Sequence, residues 1–261
     1  MRLALITLTE SGITTCSRII GGLQENTDLF LPQKFSETKI VAKFYNESLG
    51  ELTTKIFNKY DGIAYVMAMG IVIRVIANNI KDKYTDPAIV VIDDVGRYVI
   101  SALSGHEGGA NKLSLRIANI LHTDAVITTG SESTKDVIIG IGCKRNVCAE
   151  DIKKAIESSL THANLPLERV RLISTIDLKA NEPGLLVASD ELCIPLRIIS
   201  RDEIASCLID YKESDFVKKQ IGVGAVCEPA AILGGRKTKL VLTKQKFQGI
   251  TIAIAVENFM W

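Results

Sequence analysis

Short apolar runs of strand length alternate with longer amphipathic stretches through the first half of the 261-residue chain, and this rhythm restricts the fold more than any other feature. A strand buried on both faces reads as a continuous apolar run. A covering helix reads as a stripe recurring every three to four residues. Residues 3–7, 40–43, 62–66, 88–92 and 125–128 have the first character, and 49–59, 70–80 and 109–121 the second. The pattern predicts an α/β domain with a mainly parallel sheet flanked by helices. Small polar residues, TGSESTKD, follow at 129–136, after which a new strand-like run starts at Val137. We therefore expect an N-terminal α/β domain over 1–130, a linker over 131–136 and a C-terminal domain over 137–261. The latter is again α/β, with strands near 137–141, 170–174, 194–199, 240–244 and 250–256. A helix over 149–160 carries Glu150 and Asp151 in its first turn, where acids favour the helix dipole.

Charge and cysteine content narrow the functional classes. The formal net charge of +1 supplies no overall field for nucleic acid or an anionic membrane. The apolar stretch 63–77 is interrupted by Gly70 and Arg74 and is shorter than a membrane span. The apolar start, 3–8, is too short for a signal-peptide core. Six cysteines at irregular spacing, with no C-x-x-C pair, argue against a disulfide framework or a zinc site. A cytoplasmic protein without a metal of its own is expected.

The segment LSGHEGGANKL, 103–113, stands between a strand-like run and a helix. Gly105, Gly108 and Gly109 allow close approach to the main chain, so that a flat ligand could lie against it. The amides opening the helix suit an anion. His106 can exchange a proton near neutral pH, and Glu107 can act as a base or orient its neighbour. A tight strand-to-helix connection with an exposed histidine explains the same residues equally well. The spacing is neither that of a P-loop nor that of a dinucleotide-binding fingerprint.

Two further glycine segments follow. GIGCKRN, 140–146, can present amides from Gly142 beside Lys144 and Arg145, cations suited to carboxylates. A solvated turn is the plainer reading, and Cys143 reads better as a buried small residue than as a nucleophile. GVGAVCEPAA, 222–231, places Gly222 and Gly224 before a short apolar helix in which Pro229 has a structural explanation and Glu228 is a candidate for binding. Asp93 and Asp94 in DDVG read as the turn of a hairpin whose second strand is 98–102. His122 and His162 stand where helices should end, a favourable place for an imidazolium.

Taken in order, LSGHEGGANKL after a hairpin, GIGCKR opening a second α/β unit, and GVGAVCEPAAIL followed by GITIAIAVE resemble the cobalt-precorrin-5A hydrolase family, known as CbiG. Residues 46–128 resemble its N-terminal domain and 137–257 its C-terminal domain. The resemblance implies an enzyme of anaerobic cobalamin biosynthesis that opens the δ-lactone of cobalt-precorrin-5A and releases acetaldehyde to give cobalt-precorrin-5B. It implies His106 and Glu107 as catalytic residues. Gly105, Gly108, Gly109, Asn111, Lys112, Gly142, Lys144, Arg145, Gly222, Gly224 and Glu228 would bind the substrate. The cobalt would arrive in the substrate, with no further cofactor, and neighbouring corrin-pathway enzymes would be the other partners. The family usually carries a middle region between its domains, and here only a few residues separate Thr128 from Val137. The alternative is a non-catalytic protein that binds or hands over a corrinoid intermediate. A third reading, a generic α/β binder of small anions, needs no resemblance.

Overall fold

The computed structural model describes residues 1–23, 26–205 and 226–258. The chain divides into two compact units, Met1–Thr129 and Gly130–Trp261.

In the first unit, strands β1 (Arg2–Thr7), β2 (Asn26–Pro32), β3 (Lys43–Tyr45), β4 (Gly62–Val66), β5 (Ala88–Ile92), β6 (Tyr98–Leu103) and β7 (Asp124–Val126) form one sheet. Their order is β3-β2-β1-β4-β5-β6-β7. The first five are parallel, β6 runs antiparallel to β5, and β7 is parallel to β6. Alternate side chains supply two cores. Leu3 and Leu5 pack with Ile13, Cys16 and Ile19 of α1 (Glu10–Gly22) and with Leu113 and Ile117 of α4 (Ala110–Leu121). Ala4 and Ile6 face Leu52 and Ile56 of α2 (Leu49–Ile56) and Val72 and Ile76 of α3 (Met69–Ile76). Burial on both faces is why β1, β4 and β5 read as unbroken apolar runs.

DDVG is a hairpin turn: the Gly96 amide donates to the Asp93 carbonyl, and the Asp93 carboxylate accepts from the amides of Arg97 and Tyr98. The strand expected at 40–43 instead occupies Lys43–Tyr45, and Val41 is 96% exposed. The pairing with β2 begins only at Lys43, and the apolar pair Ile40 and Val41 belongs to the preceding loop.

Asp28 on β2 anchors that edge, accepting from Tyr60 (2.6 Å), Lys43 (2.8 Å) and Arg2 (3.3 Å). Burial acts to raise its pKa, but the bonds from Lys43, Tyr60 and Arg2 outweigh burial and hold the carboxyl below the ordinary range. A depressed folded pKa contributes stability that is complete above the unfolded value, about 3.9, and is lost as pH falls through the lower folded value. Asp28→Asn is expected to cost about 1 kcal/mol at pH 7 and to be nearly neutral near pH 2. Urea unfolding at the two pH values checks this; an equal cost at both would show that the charge is not the cause.

The second unit contains β8 (Val137–Cys143), β9 (Val170–Ile176), β10 (Leu196–Ile199), β11 (Thr238–Phe247) and β12 (Ile250–Glu257) in the order β10-β9-β8-β12-β11. Here the expectation of a mainly parallel sheet holds for one side only. The pairs β8–β9 and β9–β10 are parallel, whereas β12 runs antiparallel to both β8 and β11. A hairpin joins the last two strands, so no crossover helix intervenes to make them parallel. After the short α5 (Gly130–Ser133), helices α6 (Ala149–His162) and α7 (Pro183–Leu192) flank the sheet, with Ile152, Ile156, Leu185 and Ala188 in one core. Following α8 (Arg201–Ala205), α9 (Cys227–Leu233) covers the other face through Cys227 and Ala231, which pack against Ile138 and Ala253. No helix among the described residues is long and apolar enough to cross a membrane.

Candidate functional site

Reversal of β6 sets the position of the histidine segment. Leu103, at its carboxyl end, pairs with Ile89 near the start of β5, and Ala88 in turn pairs with Gly62 at the start of β4. The loop therefore emerges at the amino edge of the parallel strands. Residues 81–86, which lead into β5, and 127–129, which follow β7, lie at that same edge.

Within the loop, Ser104 takes a left-handed conformation (φ 55°) and Gly109 another (φ 85°) as the N-cap of α4. The carbonyls of Ser104 and Gly105 accept from the amides of Ala110 (3.1 Å) and Asn111 (2.9 Å). Two amides expected to meet an anion thus close the loop on itself. A Cβ at Gly108 would stand 2.4 Å from Cβ of Ser104 and 3.2 Å from the Asp86 carbonyl oxygen, and one at Gly105 would stand 2.8 Å from Asn111 Oδ1. These two glycines admit the protein's own atoms. Of the loop's three glycines, Gly109 alone has nothing within 4 Å of its Cβ position. Asn111 is buried, accepting from Ser101 Oγ (2.8 Å) and donating to Thr129 Oγ1 (3.1 Å), so its amide fastens the loop to both β6 and the end of the unit.

His106, Glu107 and Lys112 are exposed. Among the described residues His106 has no hydrogen-bond or ion-pair partner, whereas Glu107 Oε1 receives Lys83 Nζ at 2.7 Å. That bond holds the Glu107 carboxyl below its usual range. Glu107 is therefore ionised at neutral pH and cannot serve there as an acid.

Ser104 combines a left-handed backbone with a buried hydroxyl that lacks a partner among the described residues. Each is unfavourable, and glycine removes both at some cost in unfolded-chain entropy. Ser104→Gly is expected to raise stability by about 1 kcal/mol. Denaturant unfolding measures it; a loss of stability would mean that the hydroxyl has a native role.

The second glycine segment belongs largely to a strand. Gly140 and Gly142 lie within β8, where a Cβ at Gly140 would meet the Cys227 carbonyl oxygen at 1.9 Å and one at Gly142 would meet Thr251 Oγ1 at 2.8 Å. Gly142 also uses its carbonyl to accept from Thr251. Only Lys144, Arg145 and Asn146 leave the strand, all three exposed. Their loop is held by the buried Glu182, which accepts from the Asn146 amide at 2.6 Å and is paired with Lys179 at 3.3 Å. Burial pushes the Cys143 thiol up to about 11, which keeps it protonated and unreactive.

Glu228 is buried in α9: Oε1 accepts from the Lys244 amide at 2.9 Å, and Oε2 has no hydrogen-bond partner among the described residues. Gly222 and Gly224 lie outside the described residues. His122 and His162 do end helices, but burial and then Arg18 hold His122 below its ordinary value, so it is not the imidazolium expected at that position. Among the described residues no three His, Cys, Asp or Glu side chains are grouped to hold a metal ion.

The pairing of Lys83 with Glu107, and the bracing by Asp86, Thr129 and Glu182, were not anticipated. Each joins residues distant in sequence through one contact, which neither periodicity nor motif spacing encodes.

Residues 51–132 match the family model for the N-terminal part of cobalamin synthesis G, and residues 137–255 match the model for its C-terminus. The chain belongs to the cobalamin synthesis G family. The cobalt-precorrin-5A hydrolase of Priestia megaterium is 26% identical over 354 residues, covering 97% of this chain and 94% of the relative. That of Salmonella typhimurium is 24% identical over 348 residues, covering 98% of each. Both alignments exceed 261 residues, so part of each relative has no counterpart in this member of the cobalamin synthesis G family, and its two matched regions are separated only by residues 133–136. Protein CobE of Sinorhizobium sp. is 29% identical over 123 residues, covering 46% of this chain and 79% of CobE.

Proposed function

We propose that this chain is a cytoplasmic cobalt-precorrin-5A hydrolase, opening the δ-lactone and releasing acetaldehyde to give cobalt-precorrin-5B. The observation that carries this reading is near end-to-end similarity to two relatives bearing that name. The geometry supports a specific division of labour. His106, exposed on a loop braced by Asn111 and closely packed at Gly108, takes a proton from the water that attacks the lactone carbonyl and returns it to the departing alkoxide. The freed hydroxyl then gives up its proton as the carbon–carbon bond to the macrocycle breaks, so that the two-carbon fragment leaves as acetaldehyde and the bonding pair stays on the conjugated macrocycle. Because the Ala110 and Asn111 amides are already bonded, recognition of a carboxylate on the first unit falls to the exposed Lys112, while the second unit by itself offers the exposed cations Lys144 and Arg145. Cobalt is part of the substrate, and no other cofactor is required.

Anaerobic incubation with cobalt-precorrin-5A, with acetaldehyde and corrinoid mass followed together, tests the reading. Stoichiometric acetaldehyde with the corresponding loss of corrinoid mass is expected. A corrinoid bound with its mass unchanged would instead establish a binding or hand-over protein. That second reading is favoured by the segment of the hydrolases without counterpart here. Affinity for simple carboxylates or phosphates but none for corrinoids would leave the generic anion binder.

A further inference from the structure

The turn at 81–86 has no role in the reading above, yet it is fixed from several sides and reaches directly to the histidine loop. The buried Asp86 carboxylate accepts the Lys81 amide at 2.9 and 3.1 Å. Asp82 accepts from the amides of Tyr84 and Thr85 and from the Thr85 hydroxyl. The Asp86 carbonyl oxygen lies 3.2 Å from where a Cβ at Gly108 would stand, so the turn packs close against the histidine loop. Between these anchored turns, Lys83 Nζ is held at 2.7 Å from Glu107 and 4.9 Å from the centre of the exposed Tyr84 ring.

We propose that Lys83 is a positioning residue of the reaction site: its ammonium, held against Glu107, offsets the charge of that carboxylate and so leaves the adjacent His106 imidazole free to accept a proton from water. The inference deepens the hydrolase reading and rests on it. An exposed ion pair adds little to stability, so the consequence of this one lies in where it places a charge. Glu107 is already within electrostatic reach of His106, and a carboxylate beside an imidazole that no cation offsets favours the imidazolium, which can no longer act as a base. The charged groups on the elements about His106 are Glu107 next to it, Lys81, Asp82, Lys83 and Asp86 on the turn, and Lys112 in the first turn of α4. Of the cations, Lys83 is the one paired with Glu107.

The experiment compares wild type, Lys83→Met, Lys83→Arg and Lys83→Met/Glu107→Gln by NMR titration of the His106 imidazole and by the pH dependence of kcat for acetaldehyde release. Lys83→Met is expected to raise the His106 midpoint by about one pH unit. The acidic limb of kcat should move by the same amount, while KM changes less than about twofold. Lys83→Arg should titrate like wild type, and removing Glu107 as well should return the midpoint. An unmoved midpoint in Lys83→Met, or one that the double variant fails to restore, would overturn the inference. Absence of acetaldehyde from wild type would sink the hydrolase reading without altering the titration, which alone decides whether Lys83 sets the state of His106.

Discussion

His106→Ala is expected to lower kcat for acetaldehyde release by about two to four orders of magnitude, the usual contribution of a positioned acid-base group. The fold should survive. His106 is exposed and has no partner among the described residues, and the loop's shape comes from main-chain bonds to Ser104 and Gly105 and from Asn111, none of which involves the imidazole. Its stability should stay within about 0.5 kcal/mol of wild type. A loss of kcat at unchanged corrinoid affinity therefore reports chemistry. Full turnover by a normally folded His106→Ala protein would remove the residue from the mechanism.

The second large effect is structural. Gly140→Ala would place a methyl group 1.9 Å from the Cys227 carbonyl oxygen, 2.5 Å from the Ala231 nitrogen and 2.9 Å from its Cβ. The first two are backbone atoms, so rotation of a side chain cannot relieve the clash; α9 must move off the sheet. We expect a loss of about 3 kcal/mol, at the upper end for overpacking, detectable by denaturant unfolding. Cys227, whose thiol burial raises to about 11, should become accessible to thiol reagents in the same variant. Gly142→Ala should cost less, because its 2.8 Å contact is the hydroxyl of Thr251. Equal stability of Gly140→Ala and wild type would show that α9 does not lie on β8 this way.

Much of the α/β architecture is legible in the chain. The runs in β1, β4 and β5 are apolar at nearly every position because both sheet faces are covered, and the DDVG turn identifies β6 as antiparallel. Edge elements are less clear. In β2 the sequence NTDLFLP mixes polar and apolar residues because Asp28 joins a charged cluster, and α7 carries a weak stripe opened by Pro183. The glycine motifs were legible as places of close approach but not as to what approaches. Gly140 makes room for a helix from residues 227–233, Gly108 for Ser104 and a carbonyl from the preceding turn, and such partners are set by tertiary packing. Lys144 and Arg145 were visible as exposed cations; the Glu182 that steadies their loop was not.

The reversed direction of β6 has an evolutionary side. Because β7 follows β6, Thr129 ends the unit beside the histidine turn and is bonded to its Asn111. Residues added or deleted just past Thr129 begin one step from that anchor and interrupt no strand of either sheet. A lineage with this topology can change what is attached next to its histidine turn by altering length at a single join, while the packed cores are inherited intact.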